Sequence, residues 1–299
     1  MDGILNINKP PGKTSFYAVA RVKKLTGEKR VGHAGTLDPT ATGVLPVCLG
    51  KATRVVEYLM HSTKTYLAQI ELGKTTDTYD ASGKITQHHD PSAVNKKQLE
   101  SALDSFRGAI QQTPPMFSAL KRHGRPLYEL ARAGIEVPRQ SRPVHINRLE
   151  MTAWQPPLVT LEVECSKGTY IRSLAHDLGQ QLGCGASLKD LTRLSYGIFK
   201  IGDAISLEQL ENAVHDNSWL GLVYPADSVL QNLPAIIVSN DTEVALKNGQ
   251  TVTLPESPDD GKEEISPRYC RAYNLTGLFI GILRYLPEEK MWHPDKVFN

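Results

Sequence analysis

Cysteine is scarce in this chain. Cys48, Cys165, Cys184 and Cys270 are four among 299 residues, widely separated and without a CxxC pair. That spacing indicates neither a cysteine-based zinc site nor a disulfide framework, so the thiols are expected reduced and mostly buried. Long apolar runs are also missing. Stretches such as Gly277–Leu283 fall far short of the roughly 18 residues that cross a bilayer. The opening Met-Asp-Gly-Ile-Leu-Asn lacks a cationic region followed by an apolar core, so no secretory signal is read and a cytosolic location is expected. Net charge is only +2, so the total charge does not mark a partner. No internal repeat or low-complexity segment stands out. Gly12-Lys13-Thr14 fails as a nucleotide-binding loop, because GxxxxGK[ST] needs glycine where this chain has Ile7.

What is present is an ordinary globular balance, 40% apolar and 22% charged, over a length that favours two domains. The charge is unevenly distributed. Residues 1–54 carry nine Lys and Arg against three carboxylates, and residues 119–149 carry seven against two. Two basic segments on a nearly neutral chain suggest a polyanion footprint, although solvated surface is the plain alternative.

The most informative stretch is Arg30–Arg54, RVGHAGTLDPTATGVLPVCLGKATR. Its one carboxylate, Asp38, precedes Pro39 and is surrounded by Gly32, Gly35, Gly43 and Gly50. Pro39 pushes Asp38 toward an extended backbone, and the glycines let the chain turn sharply. A loop is therefore expected between a short strand at Val31–His33 and another at Thr42–Leu49. On local chemistry alone an Asp-Pro pair is most often a turn.

The remaining elements follow from periodicity. Gly3–Asn8 reads as a strand. Ser15 reads as the N-cap of a helix through Leu25, with Phe16, Val19, Ala20 and Val22 inward and Gly27 as the stop. Helices are read at Ala52–Met60, Lys96–Phe106 and Tyr170–Leu182, the last after a turn at Ser166–Thr169. Strands are read at Lys64–Gly73, Arg142–Trp154 and Leu158–Ser166, with residues 87–95 a hydrophilic connection. Beyond Leu233 the expectation is a strand at Ile236–Ser239, a helix at Thr242–Leu246, a turn at Gly249-Gln250, and strands at Thr251–Leu254, Tyr269–Tyr273 and Leu278–Tyr285.

Three blocks carry a resemblance to a known family. GHAGTLDPTATGVLPVCLGKATR, KPPGKTSFYAV and CSKGTYIRSLAHDLG resemble signatures of the bacterial tRNA pseudouridine synthase B family, which isomerises a uridine of the tRNA T-loop (position 55). The resemblance implies an α+β fold: a mixed-sheet catalytic domain over 1–230 with a thumb-like insertion near 113–140, and a β-rich PUA RNA-binding domain over 231–299. The PUA match rests on less, chiefly Asn248-Gly249-Gln250 and Pro294-Asp295-Lys296-Val297.

The resemblance also implies roles. Asp38 is the catalytic carboxylate, Arg172 pairs with it, and Tyr66 stacks on the target base near C5. His33 enters the space left by the flipped base, and Leu191 walls the uridine pocket. Phe117 stands where many members have Tyr, which keeps the aromatic face. Lys9, Lys64, Lys121, Arg122 and Arg132 are candidate RNA contacts. Without the family, Arg172 reads as a surface ion pair, with Asp177 for instance. Likewise Tyr66 and Leu191 read as packing, and His33 as a strand-end histidine bonded to backbone. The implied reaction breaks N1–C1′ and makes C5–C1′ without redox change or hydrolysis, so no metal or nucleotide cofactor is expected. The carboxylate could attack C1′, stabilise oxocarbenium character there, or remove the 2′ proton. The implied partner is the T-arm of tRNA, bound by a monomer with no membrane. The rival readings are a non-catalytic tRNA-binding or folding protein on the same scaffold, and a guide-RNA-dependent synthase. The thumb-like insertion and short N-terminus favour the stand-alone type.

Overall fold

The computed structural model describes residues 1–122, 124–254 and 268–298. The parts of the expected thumb and C-terminal unit at His123, 255–267 and Asn299 lie outside the described residues.

In chain order, β1 (Gly3–Lys9), α1 (Ser15–Thr26), β2 (Val31–His33) and β3 (Thr42–Leu49) are followed by α2 (Val56–Met60), β4 (Lys64–Leu72), β5 (Lys74–Thr76), β6 (Ile85–His88) and α3 (Lys96–Asp104). Then come β7 (Gly108–Gln112), β8 (Lys121–Arg122), β9 (Arg125–Pro126), α4 (Leu127–Arg132), β10 (Arg142–Gln155), β11 (Leu158–Cys165), α5 (Ile171–Gln181), β12 (Ala186–Tyr196) and β13 (Phe199–Lys200). The rest is α6 (Leu207–His215), β14 (Val223–Tyr224), β15 (Ala235–Ile237), α7 (Asn240–Lys247), β16 (Tyr269–Tyr273), β17 (Phe279–Leu286) and β18 (Met291–Val297).

One mixed sheet organises the larger part, in the order β14-β1-β3-β12-β4-β11-β10-β7, with β2 also on β3 and β13 on β12. Its pairs are antiparallel except β3 with β12, where Thr42 faces Thr192 and Gly43 faces Arg193. That junction needs a glycine. Gly43 has φ +98°, and a Cβ there would lie 2.3 Å from the Arg193 carbonyl oxygen. The chain just after the Asp38 loop and the chain just after Leu191 therefore meet at the middle of the sheet.

β11 alternates because one of its faces is buried, whereas β1 and β3 are covered on both. In β11, Val159, Leu161, Val163 and Cys165 point into a core shared with Leu99 and Leu103 of α3 and Ile171, Leu174 and Leu178 of α5. Burying each such Leu, Ile or Val contributes ~1.5–3 kcal/mol. A second core joins Leu5, Ile7, Leu45 and Val47 to Ala18 and Val22 of α1 and Leu210 of α6. A smaller sheet, β15-β16-β17-β18, forms the C-terminal unit. It is anchored by Ile282 and Phe298, which pack with Ile4, Val55 and Phe199 of the larger part. Tyr58 donates to Asp295 at 3.2 Å and Lys296 pairs with Glu57 at 3.0 Å.

Several expectations need correction. Thr14, not Ser15, caps α1, its side chain accepting from the Tyr17 amide. Freed from capping, Ser15 points inward, and the buried positions are Ser15, Ala18 and Val22, while Phe16 and Ala20 are exposed. Gly27 does end that helix, at φ +70°. The helix expected at Ala52–Met60 begins as a 3-10 turn at Gly50–Val55. Thr251–Leu254 is no strand, since Val252 makes only a single bridge to Trp292. The strand β12, the helix α6 and the short β7 have no counterpart among the expected elements. All four cysteines are buried and unpaired.

Candidate active site

Asp38 lies in the loop between β2 and β3, and that loop is pinned on both sides of it. Ser15 donates to the Leu37 carbonyl at 3.1 Å and accepts from the Leu37 amide at 2.9 Å. The Lys9 ammonium donates to the carbonyls of Pro39 at 3.1 Å, Pro10 at 2.8 Å and Lys13 at 2.6 Å. The Asp38 carbonyl accepts from Ala41 N at 3.1 Å. Its neighbours are thus held, while the Asp38 side chain itself keeps 38% of its exposure.

Arg172 meets that carboxylate. It sits in the first turn of α5, buried, with Nε 2.8 Å from Asp38 Oδ2 and Nη2 3.2 Å from Oδ1. This is a two-point grip that a lysine cannot make. The same guanidinium donates to the Thr78 carbonyl at 3.3 Å and the Phe117 carbonyl at 2.9 Å, and lies 3.6 Å from Asp80 Oδ2. Arg172 is therefore a buried hub joining the Asp38 loop, the 76–80 loop and the root of the thumb, and no surface pair with Asp177.

The electrostatics follow from that enclosure. Desolvation pushes the Asp38 carboxyl above its ordinary range, with Arg172 pulling it back down and Asp80 pushing it up. Tyr66, half-buried on β4, has its phenol raised by burial, with the Arg193 guanidinium beside it opposing. Its hydroxyl is therefore neutral near pH 7. His33 closes β2 with its imidazole lowered by burial and then by Arg193, and its Nδ1 is buried without a partner. Leu191 lies on β12 opposite Ala68 and packs, partly buried, against the main core.

The five candidate RNA cations separate. Lys121, Arg122 and Arg132 are exposed on the β8–β9 hairpin and α4. Arg122 donates to the Pro138 carbonyl at 3.1 Å, and the Arg132 guanidinium lies 5.5 Å from the Tyr128 ring centroid. Lys9 and Lys64 do not belong with them. Lys9 is fully buried and committed to three carbonyls. Lys64, also buried, donates to the Met60 and Ser62 carbonyls at 2.8 and 2.5 Å and lies 4.4 Å from the Tyr196 ring centroid. Burial lowers both ammonium groups to about 8, with Asp38 opposing the shift at Lys9. These are architectural cations that close loops, not phosphate ligands.

Two residues at the site escape sequence reasoning. Asp80 is buried beside Arg172, held by the Thr78 hydroxyl at 2.8 Å and the Ser82 amide at 2.9 Å. Arg193 is buried under the loop, donating to the Val44 carbonyl at 2.6 Å and the Gly35 carbonyl at 3.1 Å. A lone arginine in LTRLSYG carries no signal of burial. Only its pairing beside Gly43, set by the parallel register, reveals it.

Comparison with known proteins gives consistent relatives. The model for the TruB family pseudouridylate synthase N-terminal domain matches residues 23–171, and that for the tRNA pseudouridylate synthase B C-terminal domain matches 172–231. Proteins named tRNA pseudouridine synthase B are similar from end to end. One from Dehalococcoides mccartyi (strain BAV1) is 45% identical over all of this chain and 97% of its own length. One from Clostridium acetobutylicum is 46% identical over 94% of this chain and 95% of its own length. One from Pseudomonas aeruginosa is 44% identical over 94% and 91%. Among solved structures, an H/ACA RNP bound to a substrate RNA containing 2′-deoxyuridine aligns with TM-score 0.74 at 25% identity, covering 99% of this chain and 85% of that one. A Cbf5-Nop10-Gar1 complex aligns at 0.72 and 27%, covering 95% and 78%.

Proposed function

The chain belongs to the TruB family of pseudouridylate synthases, and on that premise we propose that it converts the T-loop uridine of tRNA, position 55, to pseudouridine with Asp38 as the reacting carboxylate. The observation that carries the residue assignment is the two-point Asp38–Arg172 contact at a partly open position.

The enzyme is an isomerase that acts on uridine in tRNA. N1–C1′ breaks, the free base turns, C5–C1′ forms, C5 gives up a proton and N1 gains one. Arg172 keeps the Asp38 carboxylate oriented and offsets part of the desolvation that favours its neutral form. The ionised carboxylate then faces the sugar carbon, either as nucleophile, as a counter-charge to developing oxocarbenium character, or as base toward the 2′ proton. Tyr66 supplies a neutral aromatic ring for the base to stack on, and Leu191 an apolar wall. His33, uncharged and with one unpartnered ring nitrogen, fits the gap opened when the uridine leaves its stack, a step that needs a few kcal/mol.

The two units divide the work, 1–230 for catalysis and 231–299 as a PUA module on RNA. Lys121, Arg122 and Arg132 meet tRNA phosphates. The working form is a cytoplasmic monomer; among described residues no helix is long and apolar enough to cross a membrane. A non-catalytic tRNA binder would have no use for an open carboxylate locked to a buried arginine. The test is direct: incubate the protein with an unmodified T-arm hairpin and map pseudouridine. Product at the position-55 uridine is expected, and product elsewhere or none contradicts the reading.

A further inference from the structure

Tyr79 holds a backbone conformation that its side chain disfavours. Its φ is +65°, and among the described residues only Asn217 and Lys290 share that region without being glycine. The conformation is fixed from both sides: the Tyr79 amide donates to the Thr76 carbonyl at 3.2 Å and its carbonyl accepts from Leu188 N at 3.0 Å. The turn has a consequence at the next residue in each direction. Thr78 directs its carbonyl onto Arg172 at 3.3 Å, and Asp80 brings its carboxylate to 3.6 Å from the same nitrogen. Without the left-handed step between them, residues 78 and 80 could not both face one guanidinium.

The Tyr79 side chain is not idle. Its ring stacks on His176, centroids 3.9 Å apart and planes 11° from parallel. His176 lies one turn beyond Arg172 on α5, hence on the same helix face. Its imidazole is held neutral by burial and by Arg139, and its Nδ1 is buried without a partner, so its aromatic face is what it offers the loop. Both rings line a cleft of about 510 Å³ that also touches Met116, Phe117 and Ile135 of the thumb. Phe117 gives Arg172 its other carbonyl, at 2.9 Å.

We propose that Tyr79 and His176 are a positioning pair for Asp38: their stack clamps the 76–80 loop to α5 and so sets the guanidinium that orients the carboxylate. Neither residue touches the reacting atoms. The inference rests on Asp38 being the reacting carboxylate. Loosening the stack lets Arg172 drift from Asp38. Arg172 lowers the Asp38 pKa against desolvation, so weakening that contact raises it, and the acid limb of activity moves to higher pH.

The test uses the full chain and a T-arm hairpin transcript, with the melting temperature of each variant measured alongside. Tyr79→Gly keeps the left-handed backbone without steric strain and removes only the ring. Small misplacement of a reacting group lowers rate steeply, so Tyr79→Gly and His176→Ala are expected to lower kcat about tenfold with KM within about twofold. Both should also shift the acid limb of kcat upward in pH. His176→Phe keeps an aromatic face and restores kcat to within about threefold of the wild type. The proposal is overturned if folded His176→Ala and Tyr79→Gly keep wild-type kcat, if KM alone changes, or if His176→Phe loses as much as His176→Ala. If His176→Ala does not fold, His176→Leu, which keeps apolar volume without a ring, carries the same expectations. A wild-type protein that makes no pseudouridine overturns the assignment of Asp38 instead.

Discussion

The cations of this molecule fall into two populations that look alike in sequence. One is buried: Lys9, Arg172 and Arg193 around the Asp38 loop, and Lys64 against the 60–62 turn. The other is exposed on the thumb: Lys121, Arg122 and Arg132. In the first, charge is used inside the protein. Lys9 and Lys64 donate to backbone carbonyls, and burial lowers both ammonium groups toward neutrality. In the second, the charge remains in water and available to a polyanion. The contrast teaches that a basic segment near a reactive loop need not be a phosphate footprint. Ordering a glycine-rich loop leaves carbonyls without partners, and a lysine can satisfy three at once.

The comparison is open to attack at several points. The largest expected effect is at Arg172. Arg172→Lys loses the two-point grip, and kcat should fall about a hundredfold or more with little change in tRNA affinity. Arg172→Met also leaves the buried Asp80 carboxylate without its counter-charge and the Thr78 and Phe117 carbonyls without a donor, so it should melt below the wild type in a calorimetric scan. Next is Lys9. Lys9→Met leaves three carbonyls without their donor, at ~1–3 kcal/mol for each that water cannot reach, and the melting temperature should drop by several degrees. The salt dependence of tRNA binding should not change; a shallower dependence would return Lys9 to the RNA-facing population. The smallest effect on the fold is on the thumb. Lys121→Ala, Arg122→Ala and Arg132→Ala together should leave melting and kcat intact. Each cation removed from a phosphate should flatten the plot of log affinity against log salt by about 0.7–0.9. An unchanged slope would take these three out of the interface.

What is legible in the sequence follows the same division between local and distant causes. Val31–His33, Thr42–Leu49 and Tyr269–Tyr273 form as read, because alternation marks the last and flanking glycine and proline turns bound the first two. The strand Ala186–Tyr196 is hidden. Register shifts at Leu188/Asp190 and Arg193/Ser195 break its alternation, and Lys189 with Asp190 disguise it as loop. Helix Leu207–His215 is absent from the expected elements although the sequence carries its signals, a capping box at Ser206 and Gln209 and an i, i+3, i+7 stripe of Leu207, Leu210 and Val214. Phe16 reads as inward, but the stripe that α1 buries is Ser15, Ala18 and Val22, which leaves Phe16 facing water. At the site, Asp38 and Arg172 are legible through family motifs, and their contact spans 134 positions of chain. Asp80, Arg193 and the Tyr79–His176 stack are not. Each is defined by a partner that only the folded register supplies.

The central claim is that Asp38, gripped by Arg172, performs the chemistry. It is tested most directly by Asp38→Asn on the T-arm hairpin, measuring bound RNA and pseudouridine in the same samples. The account predicts RNA binding within a few-fold of the wild type and a rate lower by about 10⁴ or more. Pseudouridine formed at a rate near that of the wild type would contradict it.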